Sequence, residues 1–455
     1  MTIQPLRYRA HVKSALFLAL PLAGSHLAQS MVNVADTLML GWYGVEALAA
    51  GVLGASTWFT ASVLGSGFAF AVMPMVASAA SAGDEVQVRR VTRMGLWLAI
   101  LFGTLIYPVF WFSEPLLLAL GQKPEIAGLA KDYLRIAGLG MVPALLVWVL
   151  KSYLAALERA QVVLWVTVAG AVGNAGLNWL LIFGNWGFPE LGIKGAAWAS
   201  VGLYLVMTSS LAVYALRVLP EHELFARFWR PDWEAFGKVF RLGWPIGFTH
   251  LAESGLFTAA AIMMGWIGTI PLAAHGIALQ IASITFMVHL GLGQAATVRA
   301  GRALGRKDQI NLMRGSIAIT GLSLGTIFLT MVLFLGMPEF LIGVFTDPDG
   351  TQRAAVISMG VSLLTMAALF QLADGLQVLV LGLLRGVQDT RVPMIIAGFS
   401  YWAVGAPSGY IFGFIVGWGA VGIWFGLVVG LAVAAVLLSW RFWGQRHWTH
   451  RLIET

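Results

Sequence analysis

Twelve long apolar runs follow one another along this chain, and each is long enough to cross a lipid bilayer as a helix. Their centres lie near residues 26, 61, 102, 139, 173, 205, 251, 285, 324, 369, 404 and 430. Only 11% of the residues are charged, against about 25% in soluble globular proteins. Because a helix satisfies its own backbone hydrogen bonds, it is the usual structure of an apolar run inside a bilayer. The runs therefore predict an all-α membrane protein with twelve transmembrane helices.

The 28 lysine and arginine residues fall unequally on the two sides of the predicted membrane helices. With the N-terminus placed in the cytoplasm, 23 lie on the cytoplasmic side and five on the other: Lys123, Lys131, Arg135, Lys194 and Arg353. The positive-inside rule then predicts that both chain ends are cytoplasmic. This bias explains the net charge of +7, so we expect a lipid bilayer, and no nucleic acid, beside the basic loops.

The second half of the chain repeats the first at an offset of 224 residues, which places Pro21 on Pro245 and Gly67 on Gly291. Six apolar runs precede the polar segment 217–241, and six follow it. Repeats with an even number of spans have the same orientation and are related by an axis along the membrane normal. We predict two six-helix lobes related by such a pseudo-two-fold axis: residues 1–220, a cytoplasmic linker 221–240, and residues 241–455.

Three acidic residues, Asp36, Glu253 and Asp374, lie within apolar runs. A charged side chain at the centre of a bilayer costs about 2.5–3.5 kcal/mol on insertion scales, so intramembrane acids mark ion or substrate pathways. A structural hydrogen bond between helices is the alternative for any one of them. We predict that all three face the interiors of the lobes. The sequence indicates no lysine or arginine inside the membrane as their partner.

Polar residues in the first half form two helix faces. Gln29, Asn33 and Asp36 are spaced to share one face of the first helix, and Asn174 and Asn178 share one face of the fifth. If the faces meet, a carboxylate and two amide oxygens converge. That set suits a hard monovalent cation, or a protonated carboxyl held by hydrogen bonds. Hydrogen bonding between helices alone is the other interpretation of the asparagines.

The second half carries a corresponding set of polar residues. His250 precedes Glu253 by one helical turn, and Gln371 and Gln377 flank Asp374 on the same run. Gln280 and Ser283 form a further polar patch, which is a candidate lining of a substrate cleft together with Gln29, Asn33 and Gln371. We expect the histidines to be buried with their hydrogen bonds satisfied; these are His250, His275 and His289.

Several motifs of enzymes and cofactor proteins do not occur in the sequence. There is no cysteine, no GxxxxGK[ST] phosphate-binding loop and no HExxH zinc motif, so we predict no cofactor and no catalytic residues. GxxxG pairs begin at Gly301, Gly321 and Gly426 and predict close packing of helices.

Three segments resemble the multidrug and toxic compound extrusion (MATE) family in its NorM-like branch. They are VNVADTLMLGWYG, which contains Asp36, PLAAHGIALQIASITFMVHLGLGQAATVRAGRALG and GLLRGVQDTRVPM. Acids on the first, seventh and tenth helices are typical of this branch. The resemblance implies two lobes that form a V, and efflux coupled to Na+ or H+ by a monomer in the bacterial inner membrane. Its substrates would be small amphipathic, often cationic, organic compounds.

The resemblance also implies roles for the acids. Glu253 and Asp374 would bind the coupling cation in the C-terminal lobe, and Asp36 with Asn174 and Asn178 would bind a cation or proton in the N-terminal lobe. We predict protons at Asp36 and a metal cation at the acidic pair, with Na+ at Asp36 as the alternative. One departure from the family is Phe370, where relatives often have tyrosine.

Two other functions stay open at this point. A lipid-linked saccharide flippase of the same superfamily is expected to carry a basic groove, which the sequence does not indicate. An intramembrane hydrolase would use the acids as a catalytic pair, but no short catalytic motif accompanies them.

Overall fold

The protein is described by a computed structural model over residues 7–346, 348 and 350–444. Its helices are α1 (Tyr8–Tyr43), α2 (Val45–Ala82), α3 (Glu85–Trp111), α4 (Ser113–Ala119), α5 (Pro124–Ala137), α6 (Met141–Ala156), α7 (Ala160–Phe183), α8 (Ile193–Val218), α9 (Trp233–Ile267), α10 (Thr269–Gly305), α11 (Gln309–Gly336), α12 (Pro338–Gly343), α13 (Arg353–Gly386), α14 (Arg391–Gly398), α15 (Ala406–Tyr410) and α16 (Gly419–Ser439). No strand occurs in these described residues. The all-α prediction is therefore confirmed.

Eleven helical stretches within the described residues are long and apolar enough to cross a membrane. The span predicted near residue 404 is helical as well, but two π-helical turns divide it. It runs through α14, the turn Phe399–Gly405, α15 and the turn Ile411–Ile415. Single π turns inside helices are frequent at functional sites, and the first of these turns lies beside Glu253, as described below.

The chain packs into two compact units. We call Gly24–Gly247 the N-unit, and Met1–Ala23 together with Phe248–Thr455 the C-unit. The helices α1 and α9 therefore each begin in one unit and end in the other. The predicted lobes at residues 1–220 and 241–455 stay a prediction, as does the orientation of the chain ends. Arg446 and Arg451, which contribute to the predicted charge bias, lie outside the described residues.

Glycine contacts explain why the leading helix of the first repeat, α1, begins in the C-unit and that of the second repeat, α9, begins in the N-unit. A Cβ atom on Gly291 would lie 2.6 Å from the carbonyl oxygen of Ala19, so α10 packs directly on the first half of α1. A Cβ atom on Gly67 would lie 2.3 Å from the carbonyl oxygen of Gly243, so α2 packs in the same way on the first half of α9. Both pairs are separated by the repeat offset, so equivalent residues make equivalent contacts.

The same repeat appears at the helix starts. The side chain of Asp84 accepts a hydrogen bond from the backbone N–H of Gln87 at 2.8 Å and caps α3. The side chain of Asp308 accepts one from the backbone N–H of Asn311 at 2.9 Å and caps α11. An N-terminal cap of this kind contributes about 1 kcal/mol. The offset of 224 residues therefore predicts local structure as well as sequence.

The polar segment between α8 and α9 is fixed to α3 within the N-unit. Arg89 forms an ion pair with Glu223 at 2.5 Å, and Arg90 forms one with Asp232. The indole N–H of Trp97 donates to the carbonyl oxygen of Phe228 at 2.9 Å. These contacts make the segment an ordered part of the N-unit surface.

Candidate functional site

In the N-unit, Asp36 lies beside the two asparagines that the sequence placed on one face of the fifth span. The Nδ2 group of Asn178 donates to Asp36 Oδ1 at 2.5 Å and to Asn174 Oδ1 at 3.1 Å. Both asparagines are fully buried on α7. The hydroxyl of Ser200 on α8 lies 3.5 Å from Asp36 Oδ2. Three helices, α1, α7 and α8, thus surround one carboxyl group, and we call these four residues the N-unit site.

The N-unit site keeps unused polar atoms. Asn178 Oδ1 and Asn174 Nδ2 are buried and have no hydrogen-bond partner in the described part of the chain. A buried polar atom without a partner costs about 1–3 kcal/mol, so such atoms in a native protein call for an explanation. A proton on the carboxyl group, or a small cation beside it, would give Asn178 Oδ1 a partner.

In the C-unit, an amide of α13 bonds the acid of α9 next to the second acid. The Nε2 group of Gln377 donates to Glu253 Oε1 at 3.3 Å. Asp374 lies one turn before Gln377 on α13 and is only 2% exposed. Its Oδ1 atom and Gln377 Oε1 lack hydrogen-bond partners among the described residues. We call Glu253, Asp374 and Gln377 the C-unit site.

The first π-helical turn of the eleventh span borders this site. The indole N–H of Trp402 donates to the carbonyl oxygen of Ala252 at 3.2 Å, which fixes the turn beside Glu253. The neighbouring Tyr401 is fully buried, and its hydroxyl has no partner within the described chain. A buried phenol hydroxyl therefore lies in the turn that borders the C-unit site, although the sequence gave no indication of it.

A basic side chain lies closer to the C-unit site than the charge count alone indicates. Arg385, which that count places on the cytoplasmic side, lies in the last turn of α13. Its Nη2 group donates to His250 Nε2 at 2.9 Å, one turn before Glu253 on α9. A count of loop charges takes no account of the length of an arginine side chain, which can reach back along its own helix.

Several predicted residues lie outside these two sites. Asn33 and Gln280 are exposed, and the hydroxyl of Ser283 donates within its own helix to the carbonyl oxygen of Gln280 at 2.8 Å. The amide of Gln371 donates to Thr285 on α10. Gln29 Oε1 is buried without a partner in the described residues. A role for these residues in a substrate cleft stays a prediction.

The buried histidines differ from the expectation. His275 accepts a hydrogen bond from the indole of Trp424 at 3.1 Å, but its Nε2 atom has no partner in the described structure. His289 is 1% exposed, and neither of its ring nitrogens has a partner there. The expectation that it is satisfied was wrong, because α10 places the ring against Gly375 of α13, which has no side chain to offer a hydrogen bond. Phe370 packs against the rings of Phe257 and Trp424.

Each unit therefore offers one small acidic site. Among the described residues, no group of three or more histidine, cysteine or acidic residues could hold a metal ion. A cation at either site would take amide and hydroxyl oxygens beside one or two carboxylates, which suits a hard monovalent ion. Ser200, Arg385 and Tyr401 were not identified from the sequence, since isolated polar residues at helix ends or in aromatic-rich runs have no distinctive pattern.

Comparison with known proteins identifies the family. The MatE family model matches residues 21–180 and 245–411, one segment in each repeat. A probable multidrug resistance protein NorM of Rhizobium meliloti is 49% identical over 95% of this chain and 93% of its own length. The corresponding protein of Agrobacterium fabrum is 45% identical over 95% and 94%.

Solved structures show the same fold. A crystal structure of a MATE transporter in complex with MaL6 matches with a TM-score of 0.87 at 22% identity, over 98% of both chains. The eukaryotic MATE transporter AtDTX14 matches with a TM-score of 0.86 at 18% identity, also over 98% of both chains. With two matching repeats, NorM relatives over most of its length and this fold, the chain belongs to the MatE family and is a NorM-type MATE transporter.

Proposed function

We propose that this protein is a cation-coupled antiporter that exports amphipathic, often cationic, organic compounds across the bacterial inner membrane. The NorM relatives are named as multidrug resistance proteins, which supports export of several compounds. The positive-inside bias supports cytoplasmic chain ends. The protein would work as a monomer, because each acidic site is built within one unit of a single chain.

The observation that carries the proposal is the pair of acidic sites, one in each unit. Each combines a carboxyl group with buried oxygen atoms that lack a partner within the described residues: Asn178 Oδ1 in the N-unit site, and Asp374 Oδ1 and Gln377 Oε1 in the C-unit site. Such oxygens favour the arrival of a proton or a cation. A carboxyl group that faced lipid, or that only joined two helices, would not account for these unpartnered oxygens.

The two sites differ in the charge that they present. The N-unit site has one carboxyl group among amides, so one proton neutralises it, and we propose that it carries protons. The C-unit site has two carboxyl groups, and two close carboxylates repel unless a proton or cation lies between them. Hard cations favour such oxygens, so we propose that the C-unit site takes Na+.

Coupling would follow from differential affinity. A ligand shifts a conformational equilibrium only by as much as its affinities for the two states differ. If Na+ or H+ binds the acids more tightly in the outward-open state, and the organic substrate binds more tightly in the inward-open state, entry of the ion releases the substrate outside. The two halves would alternate access in this way, as in other transporters built from repeats.

The test is efflux from proteoliposomes that contain the purified protein and a fluorescent organic cation. We expect efflux when Na+ or protons are more concentrated on the side to which substrate is released. The double variant Asp36→Asn/Asp374→Asn should abolish it, whereas Ser209→Ala, on an exposed face of α8, should leave it unchanged. Equal efflux with and without both gradients would contradict the proposal.

A further inference from the structure

The guanidinium of Arg385 lies close to the C-unit site but is held by a neutral group. A guanidinium has only N–H donors, so in the 2.9 Å contact Arg385 donates and His250 Nε2 accepts. The imidazole therefore carries its proton on Nδ1 and has no positive charge. This bond points the guanidinium at α9 one turn before Glu253, and in the described structure Arg385 forms no direct hydrogen bond with Glu253.

Charge nevertheless connects the two residues. The bond to His250 holds the guanidinium one turn of α9 from Glu253, and Gln377, one turn from Asp374, bonds Glu253, so attraction between Arg385 and Glu253 and repulsion between Glu253 and Asp374 act within one cluster. Arginine stays protonated in proteins, so its charge is fixed. With both acids ionised, the three groups carry one net negative charge. One monovalent cation then neutralises the set, whereas a divalent cation would leave a net positive charge in a poorly solvated region.

Without that arginine, the remaining groups would suit a different ion. Glu253 and Asp374 would carry two negative charges, and Asp374 Oδ1 and Gln377 Oε1 lack hydrogen-bond partners among the described residues. Carboxylates with neutral oxygens are the ligand set that Ca2+ uses in proteins. The ligand oxygens alone therefore do not exclude divalent ions from the C-unit site. The fixed positive charge of Arg385 is what excludes them.

We infer that Arg385 is a specificity-determining residue, which restricts the C-unit site to monovalent cations and is kept in place by His250. The inference rests on the proposed function, because it assumes that the site binds Na+. A purely structural role for Arg385 is the competing explanation, since a cation in the last turn of α13 also interacts favourably with the helix dipole. A structural role predicts a loss of stability but no gain of divalent binding.

The experiment measures equilibrium binding of radioactive Na+ to the purified protein at fixed pH, and its displacement by Ca2+. We expect the Ca2+ concentration that displaces half of the bound Na+ to be lower by a factor of about ten or more in Arg385→Gln than in the wild type, because one positive charge is removed from the site. Arg385→Lys keeps the charge and should resemble the wild type. Arg391→Gln, which removes an exposed arginine at the start of α14, is the matched control.

A second variant covers the case in which Arg385→Gln does not fold. Gln377→Glu adds a carboxylate while Arg385 stays, so it restores two net negative charges and should also gain Ca2+ binding. Unchanged selectivity in the folded variants, or a gain in Arg385→Lys equal to that in Arg385→Gln, would overturn the inference and leave the proposed function standing. A wild-type protein that binds no Na+ would overturn the inference together with the proposed assignment of Na+ to the C-unit site.

Discussion

Asn178 is the residue through which the structure organises the N-unit site, because one amide group bonds both Asp36 and Asn174. A hydrogen bond to a charged group contributes about 1.5–3 kcal/mol. We therefore expect Asn178→Ala to reduce efflux driven by a pH gradient about tenfold. Ser209→Ala, on an exposed face of α8, serves as the control. Wild-type rates in Asn178→Ala, measured in proteoliposomes, would show that the amide does not support Asp36.

Replacement of Glu253 should lower the free energy of unfolding, because its carboxylate compensates the positive charge of Arg385. Glu253→Gln leaves that guanidinium with less compensation, and we expect a loss of roughly 1–2 kcal/mol, since Glu253 is only partly buried and solvent screens the interaction. The double variant Glu253→Gln/Arg385→Gln should recover part of the melting temperature but not Na+ coupling. Additive losses in the thermal melts would contradict this compensation.

At the scale of helices, two GxxxG motifs differ in whether another helix packs against them. A Cβ atom on Gly426 of α16 would lie 2.2 Å from the backbone nitrogen of Gly409, whereas nothing lies within 4 Å of one on Gly321 of α11. The predicted close packing through Gly321 and Gly325 was therefore wrong. The motif alone does not indicate whether another helix faces it.

This difference gives a prediction for the two helices. Gly426→Ala should destabilise the protein by about 1–3 kcal/mol, because the backbones of α15 and α16 must separate. Gly321→Ala should be neutral or slightly stabilising, because alanine favours helix by about 1 kcal/mol over glycine. Thermal melting of the purified variants checks both. Equal melting temperatures for the two would contradict the packing explanation.

The start of α9 depends on Asp232, which has two separable functions. Its Oδ1 atom accepts from the backbone N–H of Ala235 at 3.0 Å, and its carboxylate pairs with Arg90. The hydrogen bond from Arg90 lowers the pKa of Asp232 below its usual value. Because the folded pKa is the lower one, the ionised group stabilises the fold above about pH 4 and loses this effect as pH falls through the folded value.

Two substitutions separate the functions of Asp232. Asp232→Asn keeps a capping oxygen but removes the ion pair, and should cost about 0.5–1 kcal/mol at pH 7. Asp232→Ala should cost about 1 kcal/mol more, because the cap is lost too. The difference in melting temperature between wild type and Asp232→Asn should shrink between pH 5 and pH 3. A difference that stays constant with pH would exclude the ion pair as its cause.

At the scale of the whole molecule, the sequence predicted the repeat but not how the leading helices pack. The 224-residue offset relates Gly67 to Gly291, and both glycines make equivalent backbone contacts. The first half of α1, up to Ala23, packs with the C-unit. This packing depends on contacts between distant parts of the chain, which a hydropathy pattern does not contain. The π-helical turns of the eleventh span were not predicted either, because an apolar run that contains π turns has the same hydropathy as one that is α-helical throughout.

The candidate sites were partly predictable. A carboxyl group in an apolar run is costly, so Asp36, Glu253 and Asp374 stand out in the sequence, and spacing on a helix added Asn174, Asn178 and Gln377. Arg385 did not stand out, because the positive-inside rule assigns an arginine at a helix end to the cytoplasm. Only the contact with His250 shows that its guanidinium lies one helical turn from Glu253.

The central claim is that the two units carry separate cation sites with different ions. The most direct measurement is efflux of a fluorescent organic cation from proteoliposomes, driven by a Na+ gradient or by a pH gradient, for the single variants Asp36→Asn and Asp374→Asn. We predict that Asp36→Asn loses the response to the pH gradient and keeps the response to Na+, and that Asp374→Asn does the reverse. Loss of the Na+ response in Asp36→Asn, with its retention in Asp374→Asn, would contradict the assignment.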